Sequence, residues 1–308
     1  MVKIKSYPIA ILIMLMAIAG CVDSGNGPVN EQELRKGTGG VEISFTDNAP
    51  PDSVLEETPF KIGALLFNRG ASQADVHLTL SVEEDYIDIS ENKKVVSVTG
   101  KTLSSPEGDQ EKVYFDATSK QIGAQKNKHP TTIILTACYV YKTIFSNQIC
   151  INPHQYSPSE EDVCTESYEK FNSQGGPVAV TKIETRMENK DNKVQPVIII
   201  HVEHKGKGTL LKGSSAEKAC TQDAMERQDI NVVQLSGFYL GNKEYKAGQG
   251  DILCDSQVKL IDGKGKFTCR VKDTIDTNSP AYHAQARAIL QYGYSKSTSK
   301  NVDVERNI

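Results

Sequence analysis

The chain has no tryptophan, and aromatic residues make up only 6% of its 308 positions. Hydrophobic residues reach 38%, against about 45–50% for globular chains counted with glycine. That points to thin cores, as in small sandwiches. Positive charge is in no surplus: 35 Lys and Arg stand against 39 Asp and Glu, a net charge of −4. With no basic excess to neutralise phosphates, nucleic acid is not an expected partner. The apolar run Ile9 to Ile18 holds ten residues, short of the roughly 20 a membrane-crossing helix needs. G-x-S-x-G, the P-loop and a G-x-G-x-x-G after a strand are all missing, so the best-marked hydrolase and nucleotide-binding classes drop out. No N-x-S/T triplet occurs, which argues against N-glycosylation.

What is present begins at the front. Lys3 and Lys5 precede the apolar run, and Ile18-Ala19-Gly20-Cys21 ends it with small residues before a cysteine. A basic head, a short apolar stretch and a small-residue site are the parts of a secretory signal. The tetrapeptide resembles the lipobox of prokaryotic lipoproteins. That resemblance implies a signal peptide over 1–20, a lipid on Cys21, and a chain held on the outer face of the cytoplasmic membrane or at the cell surface. An uncleaved signal anchor is the alternative, with the same sidedness.

Removing the leader leaves 288 residues, enough for about two domains. Residues 21–40 read as the lipidated cysteine and a tether rich in Gly, Asn and charge, with a root-mean-square reach of roughly 25 Å. Six further cysteines follow: Cys138, Cys150, Cys164, Cys220, Cys254 and Cys269. An even number in an exported chain predicts three disulfides. Fifteen pairings are possible. Cys138 with Cys150 and Cys254 with Cys269 would each flank a hairpin turn, leaving Cys164 for Cys220. A zinc site would need ligand spacings such as C-x-x-C, and none occurs; no metal or other cofactor is expected.

Short alternating runs dominate the rest, which is the pattern of half-buried strands. Val76-His77-Leu78-Thr79-Leu80-Ser81-Val82 sends its apolar residues to one face. Seven or eight such runs fill 41–152, including a hairpin made of Thr131–Tyr141 and Ile144–Ile151. Asn152-Pro153, Ser157-Pro158 and Gly175-Gly176-Pro177 crowd into 153–176, which reads as a linker. About seven more strands fill 177–308, with Val197–Val202 central, separate strands at Ala281–Tyr292 and Ser297–Val304, and one helix at Ala216–Asp229. The fold class is therefore all-β: two antiparallel sandwiches in tandem after a signal peptide and tether.

The two units share a local pattern. An alternating strand runs into a glycine turn: Ile62 through Phe67 into Asn68-Arg69-Gly70, and Ile198 through His204 into Lys205-Gly206-Lys207-Gly208. Glycine suits a tight connection that needs positive φ. The Asn-Arg-Gly version resembles the strand–turn signature of CARDB-type immunoglobulin-like domains, with His204 standing where that family has asparagine. The chain as a whole is similar to archaeal lipoproteins with paired β-sandwiches. This likeness implies immunoglobulin-like adhesion or spacer modules.

No catalytic constellation emerges. His201-Val202-Glu203-His204 has a metal-like look, but residues three apart on a strand face opposite ways. His77, His129, His154 and His283 stand alone and read as surface residues. Glu83, Glu84, Asp85, Asp88 and Glu91 form an acidic cluster without the fixed spacing of a calcium loop. Tyr239, Tyr245, Tyr282, Tyr292 and Tyr294 could make a recognition face. The expected function is a non-enzymatic envelope lipoprotein, an adhesion, scaffold or spacer module that binds an envelope protein or glycan. The alternative is a substrate-capturing lipoprotein that serves a transporter or envelope enzyme.

Overall fold

The computed structural model describes residues 31–154, 156, 162–221, 225–246 and 249–307. The expected signal peptide, Cys21 and the first part of the expected tether lie outside the described residues, as do Ser157, Pro158 and the acids Glu160 and Glu161. After a short helix α1 (Glu31–Leu34), the first half holds β1 (Val41–Phe45), β2 (Ser53–Leu55), β3 (Pro59–Asn68), β4 (Ala74–Ser81), β5 (Ile87–Ile89), β6 (Lys93–Val98), β7 (Asp109–Ser119) and β8 (Lys128–Ile151). Then come β9 (Tyr168–Lys170), β10 (Val178–Lys190), β11 (Lys193–His204), β12 (Thr209–Leu211), β13 (Val232–Leu240) and β14 (Lys243–Lys246). The chain continues through β15 (Gln249–Gly250), β16 (Ile252–Cys254), β17 (Gln257–Lys259), β18 (Lys264–Val271), β19 (Ile275–Asp276) and β20 (Tyr282–Glu305). Among the described residues, no helix is long and apolar enough to cross a membrane.

The strands form three sheets, antiparallel except for the pairing of β2 with β20. One covering sheet runs β1-β3-β7-β5 and the other β16-β18-β11-β10-β9. Both pack on a long third sheet, β15-β14-β13-β20-β8-β4-β6. Its spine is β8 against β20, paired from Lys128↔Glu305 to Ile151↔Tyr282. Each has 24 residues, an extended length of about 80 Å.

The hairpin expected near Lys142-Thr143 does not form, and the two strands expected in 281–304 are one. Side chains alternate without interruption through both places, and Thr143 is buried within the ladder. Nothing in either stretch forces a turn. The long spine therefore carries strands from both sequence halves in one sheet.

Among the described residues of the helix expected at Ala216–Asp229, the structure has 3₁₀ turns at Glu217–Cys220 and Arg227–Asp229 instead. A weakly amphipathic segment of this length is marginal as a helix, and Cys220 is bonded to the long sheet. The tether also ends earlier than expected. Gly37 N–H donates to Ser173 Oγ and its carbonyl accepts from Gly175 N–H (2.8 Å), so residues 37–40 lie against the body.

Three disulfides form, and two of the expected pairings are corrected. Cys138 bonds Cys220 (Cα–Cα 5.8 Å), Cys150 bonds Cys164 (5.9 Å), and Cys254 bonds Cys269 (4.0 Å) as the turn between them suggested. Cys138 and Cys150 lie on the same strand, β8. Twelve extended residues hold them about 40 Å apart, far beyond the reach of a disulfide.

Candidate functional site

Four tyrosines stand together on the inner face of the spine. Tyr139 and Tyr141 come from β8, Tyr292 and Tyr294 from β20, in the cross-strand pairs Tyr139↔Tyr294 and Tyr141↔Tyr292. Ring centroids are 5.7–6.3 Å apart along three sides of this square. None is more than 3% exposed, and burial raises the pKa of each hydroxyl, which keeps all four protonated.

Each hydroxyl takes a backbone N–H, two from covering strands and two from the loops that follow β3 and β11. Val41 N–H at the start of β1 donates to Tyr139 Oη (3.0 Å), and Val178 N–H at the start of β10 donates to Tyr292 Oη (3.3 Å). Ser72 N–H donates to Tyr141 Oη (3.2 Å) and Gly208 N–H to Tyr294 Oη (2.6 Å). Tyr141 Oη lies 3.2 Å from Asn68 Oδ1, and Tyr294 Oη lies 3.4 Å from His204 Nε2. The two halves thus repeat one arrangement, with β8 matching β20, β1 matching β10 and β3 matching β11. His204 occupies the station of Asn68, as the sequence comparison of the two turns anticipates.

The glycines of these turns have a different reason from the one expected. Neither Gly70, Gly206 nor Gly208 has positive φ. A Cβ on Gly70 would overlap the Tyr141 hydroxyl and sit 2.7 Å from Gly39 O; one on Gly206 would overlap the Tyr294 hydroxyl. Close approach to tyrosine, rather than turn geometry, excludes a side chain there.

Over Tyr294, where the covering sheets meet, lies a cleft of about 500 Å³. Its walls are backbone-rich: Gly37 to Val41 on one side, Pro177 and Lys205 to Gly208 on the other. Five cations line it, namely Arg69, Lys101, Lys205, Lys207 and Lys296, against the single carboxylate Glu42. Glu42 is held by Arg69 (2.9 Å) and Lys205 by Glu203 (2.6 Å). Lys101 donates to Lys36 O (3.3 Å), and neither Lys207 nor Lys296 has a carboxylate partner among the described residues. The N–H groups of Gly37, Gly206 and Gly208 are spent on Ser173, Pro177 and Tyr294, so it is the cations that make this a site for an anion. Sequence reasoning did not single out these cations. Arg69, in Asn68-Arg69-Gly70, and Lys205-Gly206-Lys207-Gly208 carried a signal only as turn residues; Lys101 and Lys296 come from distant strands and loops.

The other singled-out residues disperse. His201 bonds Glu184 Oε1 (3.0 Å) while His204 meets Tyr294, so the two rings part. Glu184 also takes Lys182 and Arg186, and the lysine bond chiefly holds its carboxyl down to about 2. The acids of the first unit go to separate neighbours: Glu83 accepts from Thr132 N–H, Asp88 faces Lys120 and Glu91 faces Lys94. His129 is not a free surface ring but stacks on Tyr86 at 3.7 Å, and His154 bonds Asp162 (3.1 Å). His77 faces Glu217 and His283 is exposed. The tyrosines do not share a recognition face, since Tyr245, Tyr292 and Tyr294 are buried and Tyr282 is exposed. One trio of metal-type ligands gathers among the described residues: Cys150, Cys164 and Glu166. Both sulfurs are joined in a disulfide, and the thiolate is the form that binds metal.

Scanned against protein-family models, the chain matches none, and a search of curated proteins finds no match.

Proposed function

We propose that this chain is a membrane-anchored envelope lipoprotein that acts as a non-enzymatic adhesion or scaffold module, its paired immunoglobulin-like sandwiches held outside the cytoplasmic membrane by a lipid on Cys21. The reading of the site rests on one observation, the glycine-walled cleft with five cations and one carboxylate. Such a lining suits an anionic group of an envelope glycan or protein. Three disulfides in an all-β body accord with an oxidising compartment.

The test has two parts. Mass spectrometry of the protein purified from membranes is expected to find a mature chain that begins with an acylated Cys21; an unmodified cysteine within an intact leader refutes the anchor. Titration with polygalacturonate, against neutral dextran, is expected to show salt-sensitive binding to polygalacturonate alone. Lys207→Glu with Lys296→Glu is expected to weaken it at least ten-fold. Equal binding of dextran, or full binding by the double variant, refutes the cleft.

A further inference from the structure

A second surface lies on the spine itself. β4 pairs with β8 only over Ile134–Tyr139. From Lys142 onward β8 is the edge of the long sheet, with β20 on its other side. Backbone groups of successive strand residues point to opposite sides, and three contacts fix which ones face outward. Lys142 O accepts from Ser72 Oγ (2.8 Å), Gln148 N–H donates to its neighbour Asn147 Oδ1 (2.8 Å), and Cys150 N–H donates to the Glu169 carboxylate. The even-numbered residues therefore face away from β20. Ser72 closes one end of this edge and Glu169 the other. Between them, the N–H and C=O of Ile144 and of Ser146 meet no partner among the described residues.

Two cavities of about 520 and 560 Å³ flank this stretch and share Arg35, Ile144, Ser146 and Asn147. The first opens on the outer face, beside Arg287; the second lies toward the covering sheet, beside Lys36 and Lys170. Neither lining contains a carboxylate. Lys36 is paired with Glu33, whereas Arg35 and Arg287 have no carboxylate partner among the described residues. An exposed edge is a template for another strand. The side chains of an added strand would alternate between the two cavities, each bordered by cations.

We propose that the β8 edge from Lys142 to Gln148 binds an extended acidic peptide segment by strand addition, with Ile144 and Ser146 supplying the backbone hydrogen bonds and Arg35, Arg287 and Lys170 the charge complement. This surface is separate from the cleft over Tyr294, and the inference does not depend on what the cleft binds.

The experiment uses the full chain in detergent and a fluorescent ten-residue peptide of alternating glutamate and threonine. Its glutamine–threonine analogue is the neutral control. The acidic peptide is expected to bind and to slow amide exchange at Ile144 and Ser146 at least ten-fold. Ser146→Pro removes one outward N–H without breaking a bond to β20, so its melting temperature is expected to stay near that of the parent while affinity falls at least ten-fold. Should that variant fail to fold, Arg35→Glu with Arg287→Glu provides the second arm, with the same expected loss. Lys207→Glu with Lys296→Glu is expected to leave peptide binding intact, which separates this surface from the cleft. The inference is overturned if the acidic peptide does not bind, if the neutral analogue binds equally, if exchange at Ile144 and Ser146 is unchanged, or if a folded Ser146→Pro or the charge-reversed protein binds as the parent does. Protection of the two amides by self-association without peptide would also overturn it.

Discussion

Replacing Tyr292 with phenylalanine deletes one oxygen and keeps the ring. That hydroxyl is fully buried, 2.7 Å from Thr143 Oγ1, and it accepts Val178 N–H. Val178 and Thr143 are themselves no more than 1% exposed, so neither can turn to water. An orphaned buried polar group costs about 1–3 kcal/mol, and two are created, so a loss of about 2–6 kcal/mol is expected. At about 2–4 °C per kcal/mol for a chain of this size, the melting temperature falls by roughly 4–24 °C. Urea unfolding followed by circular dichroism gives the free energy directly. Tyr114→Phe, on a side chain 45% exposed, is the control and is expected to stay within about 0.5 kcal/mol. Adding Thr143→Val to Tyr292→Phe removes one orphan and is expected to recover about 1 kcal/mol. A Tyr292→Phe protein as stable as the control would refute the reasoning, because the tyrosine square would then not fasten the covering sheet to the spine.

Further outcomes follow from the same structure. Gly70→Ala drives a methyl into the Tyr141 hydroxyl and two backbone oxygens, and is expected to cost about 1–3 kcal/mol or more in urea unfolding; a neutral result would contradict the close packing. Removing the Cys138–Cys220 bond, which spans 82 residues, is expected to destabilise by about 4.5 kcal/mol, and removing Cys150–Cys164, which spans 14, by about 3 kcal/mol in the chain-entropy picture. The reverse order under guanidinium would contradict the long-loop assignment. Glu184 has a folded pKa of about 2 against an ordinary 4.5. Its stabilisation is therefore present above pH 4.5 and disappears as pH falls toward 2. Glu184→Gln is expected to be less stable than the parent at pH 7 and equal to it near pH 2; a difference that grows toward acid would have the wrong sign.

Strand positions were legible because alternation is a local property. Val76 to Ser81 could be read from its alternation and Val197 to Val202 from its apolar run, and the structure has the first as a strand with its apolar face inward and the second as a strand buried on both faces. The spine was not legible, because a strand's length depends on its neighbour. Lys142-Thr143 resembles a turn until β20 is laid beside it. The candidate cleft was nearly invisible, since its cations are scattered from Arg69 to Lys296 and carry no shared motif. The glycine turns were found for the wrong reason, as their constraint is a tyrosine more than seventy positions away.

By itself the sequence determined the all-β class, the even set of bonded cysteines and the mutual likeness of the two turns. Composition and period-two patterning act through nearest neighbours, so no tertiary knowledge was needed for these. The tertiary structure alone decided that β8 and β20 join the halves in one sheet, that Cys138 finds Cys220 rather than Cys150, and that four tyrosine hydroxyls fasten both covers. Those choices are made between groups distant along the chain. They depend on which strands pair and how far an extended backbone carries a side chain, and no local pattern encodes either.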